Sequence, residues 1–311
     1  MSATDMTTVP RRPLGTTGEQ VSILGVGGAH MGQPEEAEGI RIVHAAIDAG
    51  MDFLDNAWEY NDGVSEERMG KALAQGGYRQ RAFLMTKNCD HQRTAAGSLA
   101  NLEESLRRLR TDYLDLWQVH EVAWDTDPER ILAPGGAAEA MLKAKEQGKV
   151  RYIGFTGHKD PNLHRALLSQ GFPWDTVQLP LNALDYHYRS FEREIVPLCE
   201  AQGIGVIGMK SLAGGHLLKS GADLSAEEAI RYSLSLPCAT LVSGMDSLAT
   251  FEANLAIARA FVPYGEAELD AIRARTAQAA ADGRFEPFKT TRDFEGDVGR
   301  KANDYPLQAA D

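Results

Sequence analysis

Short apolar runs alternate with longer amphipathic stretches along the chain, and the alternation repeats eight times. The apolar runs 23–26, 52–54, 82–86, 114–119, 150–156, 176–179, 205–209 and 239–243 read as buried strands. Apolar positions at helical spacing mark 37–49, 65–74, 96–109, 137–147, 162–168, 193–201, 225–236 and 247–260 as helices. Boundary residues agree. Gly50 and Gly148 follow helical stretches as C-caps, and Ser225 with Glu228 forms a capping box. Ser65 followed by Glu66 and Glu67 suits a helix start, where acids meet the positive end of the helix dipole.

Eight strand–helix units closing on themselves make a (β/α)8 TIM barrel, an α/β fold, and 311 residues suit one such domain spanning 1–311. An open doubly wound sheet needs a glycine-rich turn that leads straight into a helix. Gly25, Gly27 and Gly28 follow the first strand, but residues 29–36 separate them from the next helix, which weakens that alternative. Residues 12–22 contain Gly15 and Gly18 and predict a short N-terminal β-hairpin closing the barrel bottom, preceded by a flexible polar start over 1–11. After Pro263 a last helix runs to Ala281, and an irregular C-terminal tail over 282–311 packs on one barrel end.

Composition narrows the function. A net charge of −12 repels nucleic acid and anionic lipid, so neither is an expected partner. No apolar run is long enough to span a membrane, and no leader pattern opens the chain. Three cysteines, Cys89, Cys199 and Cys238, lie far apart without metal-like spacing, which predicts reduced thiols and a cytoplasmic location. Cys89 reads as a packing residue. The oligomeric state is not legible.

In a barrel of this type chemistry sits at the C-terminal ends of the strands. There the second strand gives Asp55, with Tyr60 in the following loop; the third ends in Lys87 and the fourth in His120. Each alone has an ordinary structural reading, but together they place an acid, a phenol, an amine and an imidazole on one rim. An ammonium beside a phenol lowers its proton affinity, and a carboxylate holds that ammonium charged. An imidazole can hold a substrate oxygen. These are the parts needed to protonate a forming alkoxide. None of them is a reductant, so electrons must come from a cofactor.

The stretches Phe53-Leu-Asp-Asn-Ala-Trp-Glu-Tyr60, Leu84-Met-Thr-Lys87 and Tyr113-Leu-Asp-Leu-Trp-Gln-Val-His120 resemble the aldo-keto reductase superfamily, and the resemblance covers nearly the whole chain. It implies a nicotinamide-dependent oxidoreductase acting on an aldehyde, a ketone or the matching alcohol or sugar, with no metal. Tyr60 is then the acid in reduction and the base in oxidation, Lys87 with Asp55 tunes it, and His120 orients the carbonyl.

The resemblance also implies a cofactor site: Gly28 after the first strand; Thr156, Gly157 and His158 after the fifth; Gln178 on the sixth; Met209, Lys210, Ser211, Leu212 and Gly214 after the seventh; and Ser243, Gly244, Met245, Asp246 and Asn254 after the eighth. Gly157 replaces the family's usual Asn, and Met209 stands where a tyrosine often stacks on nicotinamide. The basic residues that commonly grip the 2′-phosphate are replaced by Gly244 and Thr250, and Asp246 nearby suits a ribose hydroxyl and NAD(H). The family's habit and Lys210 favour NADP(H). His30, Met31, Trp58 and Glu121 are the expected substrate-binding residues. A carboxylate at Glu121 favours a polyol or sugar over an anion if it faces the pocket, and is incidental if it points to solvent. Rival readings are a Schiff-base aldolase using Lys87 or Lys210, and a regulatory subunit that keeps the barrel without turnover.

Overall fold

The computed structural model describes residues 8–307. Eight parallel strands close a barrel: β3 (Leu24–Gly27), β4 (Phe53–Asp55), β5 (Phe83–Asn88), β6 (Leu114–Val119), β7 (Val150–Thr156), β8 (Thr176–Pro180), β9 (Gly205–Met209) and β10 (Thr240–Gly244), with β10 pairing back onto β3. The strands preceding it, β1 (Arg11–Pro13) and β2 (Gln20–Ser22), form the antiparallel hairpin that the sequence predicts. Leu14 of the hairpin is fully buried with Phe53, Phe83, Leu116 and Ile207, so the hairpin plugs the barrel interior from below. Arg12 fastens it by donating to the carbonyls of Leu234 and Cys238.

A larger apolar layer joins the outward faces of the strands to the surrounding helices. Its helices begin where the side chains dictate. Thr94 accepts from the Gly97 N–H, Asp160 from Asn162 and Ser225 from Glu228, each satisfying a donor at a helix start. The expected and observed elements differ by a residue or two at most ends, the ordinary scatter of frayed termini. Three differences are larger, the first with a clear cause. The single helix expected over 193–201 is two, Phe191–Glu194 and Val196–Gln202, because Pro197 lacks an N–H and crowds the preceding turn. An additional helix, Asp127–Leu132, lies in the loop after β6. The tail is not wholly irregular: it forms helices Pro287–Thr290 and Asp297–Ala302; residues 308–311 lie outside the described residues.

Residues 1–7 of the expected flexible start also lie outside the described residues. The rest of it is ordered: Val9 is buried, the Pro10 carbonyl accepts from the Ile23 N–H, and Arg11 opens β1. All three cysteines are buried free thiols. Among the described residues no helix is long and apolar enough to cross a membrane.

Candidate active site at the barrel rim

Because every barrel strand runs the same way, the residues that close β4, β5 and β6 meet on one rim. Asp55 ends β4, Lys87 is the penultimate residue of β5, and His120 follows β6. Tyr60 opens a short 3-10 turn in the loop after β4. The Lys87 ammonium donates to the Asp55 carboxylate, to the Asn56 carbonyl at 2.8 Å and to the Tyr60 hydroxyl at 3.2 Å. The Tyr60 and His120 rings meet edge to face at 5.6 Å. The four side chains named from the sequence therefore form one cluster.

Their electrostatics differ from expectation in one respect. Burial, then the charges of Asp55, Cys89, Glu59 and Glu121, push the Tyr60 phenol well above its ordinary value. Lys87, held by Asp55, was expected to lower it, but the pairing that holds the ammonium also offsets its charge, and Asp55 itself raises the phenol. Burial likewise raises the Asp55 carboxyl against the pull of Lys87. Tyr60 is consequently a neutral phenol, a proton donor held ready.

Glu59 is the residue that sequence reasoning missed. Its carboxylate lies 2.7 Å from His120 Nδ1 and, through the other oxygen, 3.2 Å from Nε2 of the buried His91. Burial opposes its charge, yet His120 and His91 hold its carboxyl well below the usual range. Burial in turn takes His120 down to about 4, against the pull of Glu59, so the ring is neutral at neutral pH beside an ionised carboxylate. Cys89 is no plain packing residue either: its Sγ lies 3.3 Å from His120 Nδ1, and burial pushes the thiol up, so it stays protonated. Glu59 brings ligand-type atoms of Cys89 and His120, and separately of His91 and Glu121, within 4.8 Å of one another. Sequence spacing could not show this, because the residues come from three loops.

Two cavities flank the cluster. A groove of about 280 Å³ is lined by Gln178, Met209, Lys210, Ser211, Leu212, Gly214, Ser243 and Gly244, all expected cofactor residues, and by Gly27, Ala29, Val242 and Gly215. A chamber of about 300 Å³ on the other side of Tyr60 is lined by Glu59, Lys87, His120, Glu121, Thr156, His158, Lys210 and, from the tail, Phe294 and Gly296. Thr156 and His158 thus face the chamber, not the groove. His158 is also near the Phe288 carbonyl, at 3.4 Å.

Several expected residues are elsewhere. Gly28 lies behind the groove, where a Cβ would come 2.4 Å from the Asp55 carbonyl oxygen; its smallness lets the first loop pack on β4. Gly157 packs against the Val122 carbonyl and His164. Met245 is a core residue. Asn254 donates to Ser243 Oγ at 3.2 Å, and Asp246 accepts from Thr250 Oγ1 at 2.8 Å, so both brace the segment after β10. Among the expected substrate residues only Glu121 lines the chamber. His30 lies over Gly244 in the groove. Met31 is buried in the core, because the loop after β3 folds inward there. Trp58 turns toward the helix Ala95–Leu109, donating to Glu104 at 2.8 Å and stacking on Arg108.

The groove fits a nicotinamide cofactor on its own chemistry. Gln178 Oε1 is buried without a partner at its floor, an acceptor suited to a carboxamide N–H. Gly215, with φ +88° and open space where a Cβ would be, leaves the backbone free to meet a phosphate. Lys210 supplies a cation; burial lowers its pKa to about 8.

A barrel with this rim defines a class, and the comparisons bear on it directly. The aldo/keto reductase family model matches residues 23–233, and the chain belongs to that family. It is 32% identical over 216 residues to the aldo-keto reductase YhdN of Bacillus subtilis, covering 65% of this chain and 61% of that one. It is 28% identical to L-galactose dehydrogenase of Arabidopsis thaliana, covering 70% and 69%. The match thus spans about three fifths to seven tenths of these relatives. Among solved structures, the holo form of aldo-keto reductase AKR11C1 from Bacillus halodurans superposes with a TM-score of 0.75 at 27% identity, covering 89% of this chain and 99% of that one.

Proposed function

We propose that the protein is an NADP(H)-dependent oxidoreductase that interconverts a carbonyl and an alcohol on a small polyhydroxylated molecule, with Tyr60 as the acid in reduction. The observation that carries this reading is the contact of the Tyr60 hydroxyl with the buried Lys87–Asp55 pair, placed between a glycine-lined groove and a polar chamber. Gln178, Ser211, Gly214, Gly215 and Ser243 would hold the cofactor in the groove, and a bound nicotinamide supplies hydride in reduction and accepts it in oxidation.

Family habit and Lys210 support NADP(H). Asp246 is the residue that opposes a 2′-phosphate and favours NAD(H). A polyol or sugar is supported by the chamber wall. Glu121 is 7% exposed, its side chain makes no hydrogen bond among the described residues, burial and the Glu59 charge push its carboxyl well above the ordinary value, and its nearest basic nitrogens, His158 Nε2 and His91 Nε2, are 3.9 and 4.0 Å away. A substrate hydroxyl would satisfy it, whereas an anion would meet the ionised Glu59. The relative that acts on L-galactose agrees with this chemistry. A Schiff-base role for Lys87 lacks comparable support, since its amine is already engaged by Asp55, the Asn56 carbonyl and Tyr60, and a scaffold role has none.

Titration with NADPH and NADH, followed by nicotinamide fluorescence, tests the reading. Micromolar binding and NADPH oxidation in the presence of glyceraldehyde are expected. Binding of neither nucleotide overturns it.

A further inference from the structure

Glu59, Cys89 and His120 bring a carboxylate oxygen, a sulfur and an imidazole nitrogen within 4.8 Å of one another. His120 Nδ1 is the hub, 2.7 Å from Glu59 Oε1 and 3.3 Å from Cys89 Sγ. Around a tetrahedral zinc ion, bonds of about 2.0 Å to nitrogen and oxygen and about 2.3 Å to sulfur set neighbouring ligand atoms roughly 3.3–3.5 Å apart. The sulfur and the imidazole are already close to that spacing. The carboxylate has to draw back by about half an ångström to reach it. Glu59 is 32% exposed and has room to do so. Its other oxygen is held by His91 Nε2 at 3.2 Å, the kind of bond that orients a ligating carboxylate. The donors also sit between two cavities. Glu59 and His120 line the chamber, whereas Cys89 and His91 line a separate cavity of about 360 Å³ under the tail. An ion can therefore reach the sulfur without crossing the groove.

We propose that Glu59, Cys89 and His120 form a binding site for a thiophilic divalent cation, Zn²⁺, in the chamber wall, with His91 as the positioning residue for Glu59. Sulfur and imidazole donors select zinc over magnesium or calcium. A thiolate and a carboxylate together balance its two charges. On binding, the Cys89 S–H bond breaks, a Zn–S bond forms and the proton leaves to solvent, so no oxidant or reductant is needed. The thiol gives up only a weak contact with the Lys87 carbonyl at 3.6 Å. The Lys87 ammonium would repel an ion, but Asp55 balances its charge. With Nδ1 on the metal, the single proton of the neutral ring lies on Nε2. The imidazole then remains a donor, as orienting a carbonyl requires, and Tyr60 remains the acid. The ion adds a site and replaces no step. Sequence spacing could not reveal it, because the three donors come from the loop after β4, the end of β5 and the end of β6.

Cobalt(II), which occupies zinc sites and absorbs light, tests the proposal in the full metal-stripped chain without nucleotide. One ion per chain is expected, with the near-ultraviolet charge-transfer band of a cobalt–thiolate bond and the visible absorption of tetrahedral coordination, both removed by added Zn²⁺. Cys89→Ser is expected to lose the charge-transfer band, whereas Cys199→Ser and Cys238→Ser keep it. His91→Phe should weaken binding about 10–100-fold and keep the band, because His91 orients a ligand and does not touch the ion. A second measurement needs no variant to retain the site. Long-range ¹H–¹⁵N spectra of protein labelled at its 8 histidines, with His120 assigned through His120→Asn, should show Zn²⁺ on Nδ1 of His120 and the proton on Nε2. A His120 signal that ignores saturating zinc overturns the proposal. So does cobalt bound without a thiolate band, or a band that survives Cys89→Ser. The site does not depend on the oxidoreductase reading. Failure to bind NADPH or NADH leaves the metal result standing, and failure to bind cobalt leaves the oxidoreductase reading untouched.

Discussion

Arg93 and Asp127 form an ion pair in which both side chains are 0% exposed, at 2.8 Å. The same guanidinium donates to the carbonyls of His120 and Glu121, at 2.8 Å each. The pair thus fixes the backbone that presents the imidazole and the chamber carboxylate. It does so where Glu121 adopts φ +51°, a conformation most residues avoid. Removing one partner leaves a buried charge unpaired. Asp127→Ala is expected to lower the unfolding free energy by about 3–5 kcal/mol, read from urea titration, and to weaken substrate affinity in the protein that remains folded.

Tyr60→Phe deletes the donor and keeps the ring. Turnover at saturation is expected to fall about 10²–10⁴-fold, the range for loss of a positioned acid. Cofactor affinity, measured by fluorescence titration, should change little. A variant that reduces glyceraldehyde at the normal rate would remove Tyr60 from the chemistry.

Lys210 predicts a pH effect on binding. Burial brings its pKa to about 8 before any ligand is present. A lysine is charged below its pKa, so the groove carries the cation at pH 7 and loses it as pH rises past about 8. The dissociation constant for NADPH is expected to rise from pH 7 to pH 9 in the native protein. Lys210→Met should bind more weakly at pH 7 and show a flatter profile.

Asp246 is expected to bias the choice between the two nucleotides. Asp246→Arg is expected to shift the ratio of NADPH to NADH affinity upward on the order of tenfold, the size of one hydrogen bond to a charged group. The variant gives up the 2.8 Å contact with Thr250, so part of the gain is offset by a looser helix start. An unchanged ratio would mean that the residue does not meet the ribose.

Lys289 is buried between Asp185 and Glu286 and ties the tail to the loop after β8, donating to Glu286 at 2.8 Å. Burial raises Glu286 to about 7 against the pull of Lys289. Between its ordinary value near 4.5 and about 7 the folded chain therefore holds more protons than the unfolded one. Stability from this group falls as pH rises through that window. Urea midpoints at pH 5 and pH 7 should show a drop in the native protein that Glu286→Gln removes.

The barrel was legible because its signal is periodic: each strand is a short apolar run, and several helices carry their own caps. Asp55, Tyr60, Lys87 and His120 were legible because strand ends can be counted along the chain. Glu59 was not. A glutamate next to a tyrosine carries no spacing signal, and its meaning comes from two histidines on other loops. Met31, Trp58 and His30 were misplaced for a related reason. A residue known to lie in a rim loop can face the core, a neighbouring helix or the groove, and loop conformation decides among them. The tail was read as irregular because its two helices are single turns or little more, too short for periodicity to register.

Phe294 and Gly296, which wall the chamber, come from a segment that contributes no strand to the barrel. It is moored to the barrel side by Lys159–Glu295 at 2.6 Å and by Trp124 against Tyr305. The rim groups and the wall across the chamber from them are therefore carried by separate parts of the chain. Substitutions around Phe294 and Gly296 are expected to alter what fits while the rim residues stay untouched. Exchanging that stretch between relatives is then a route to new selectivity, open to evolution and to the engineer alike.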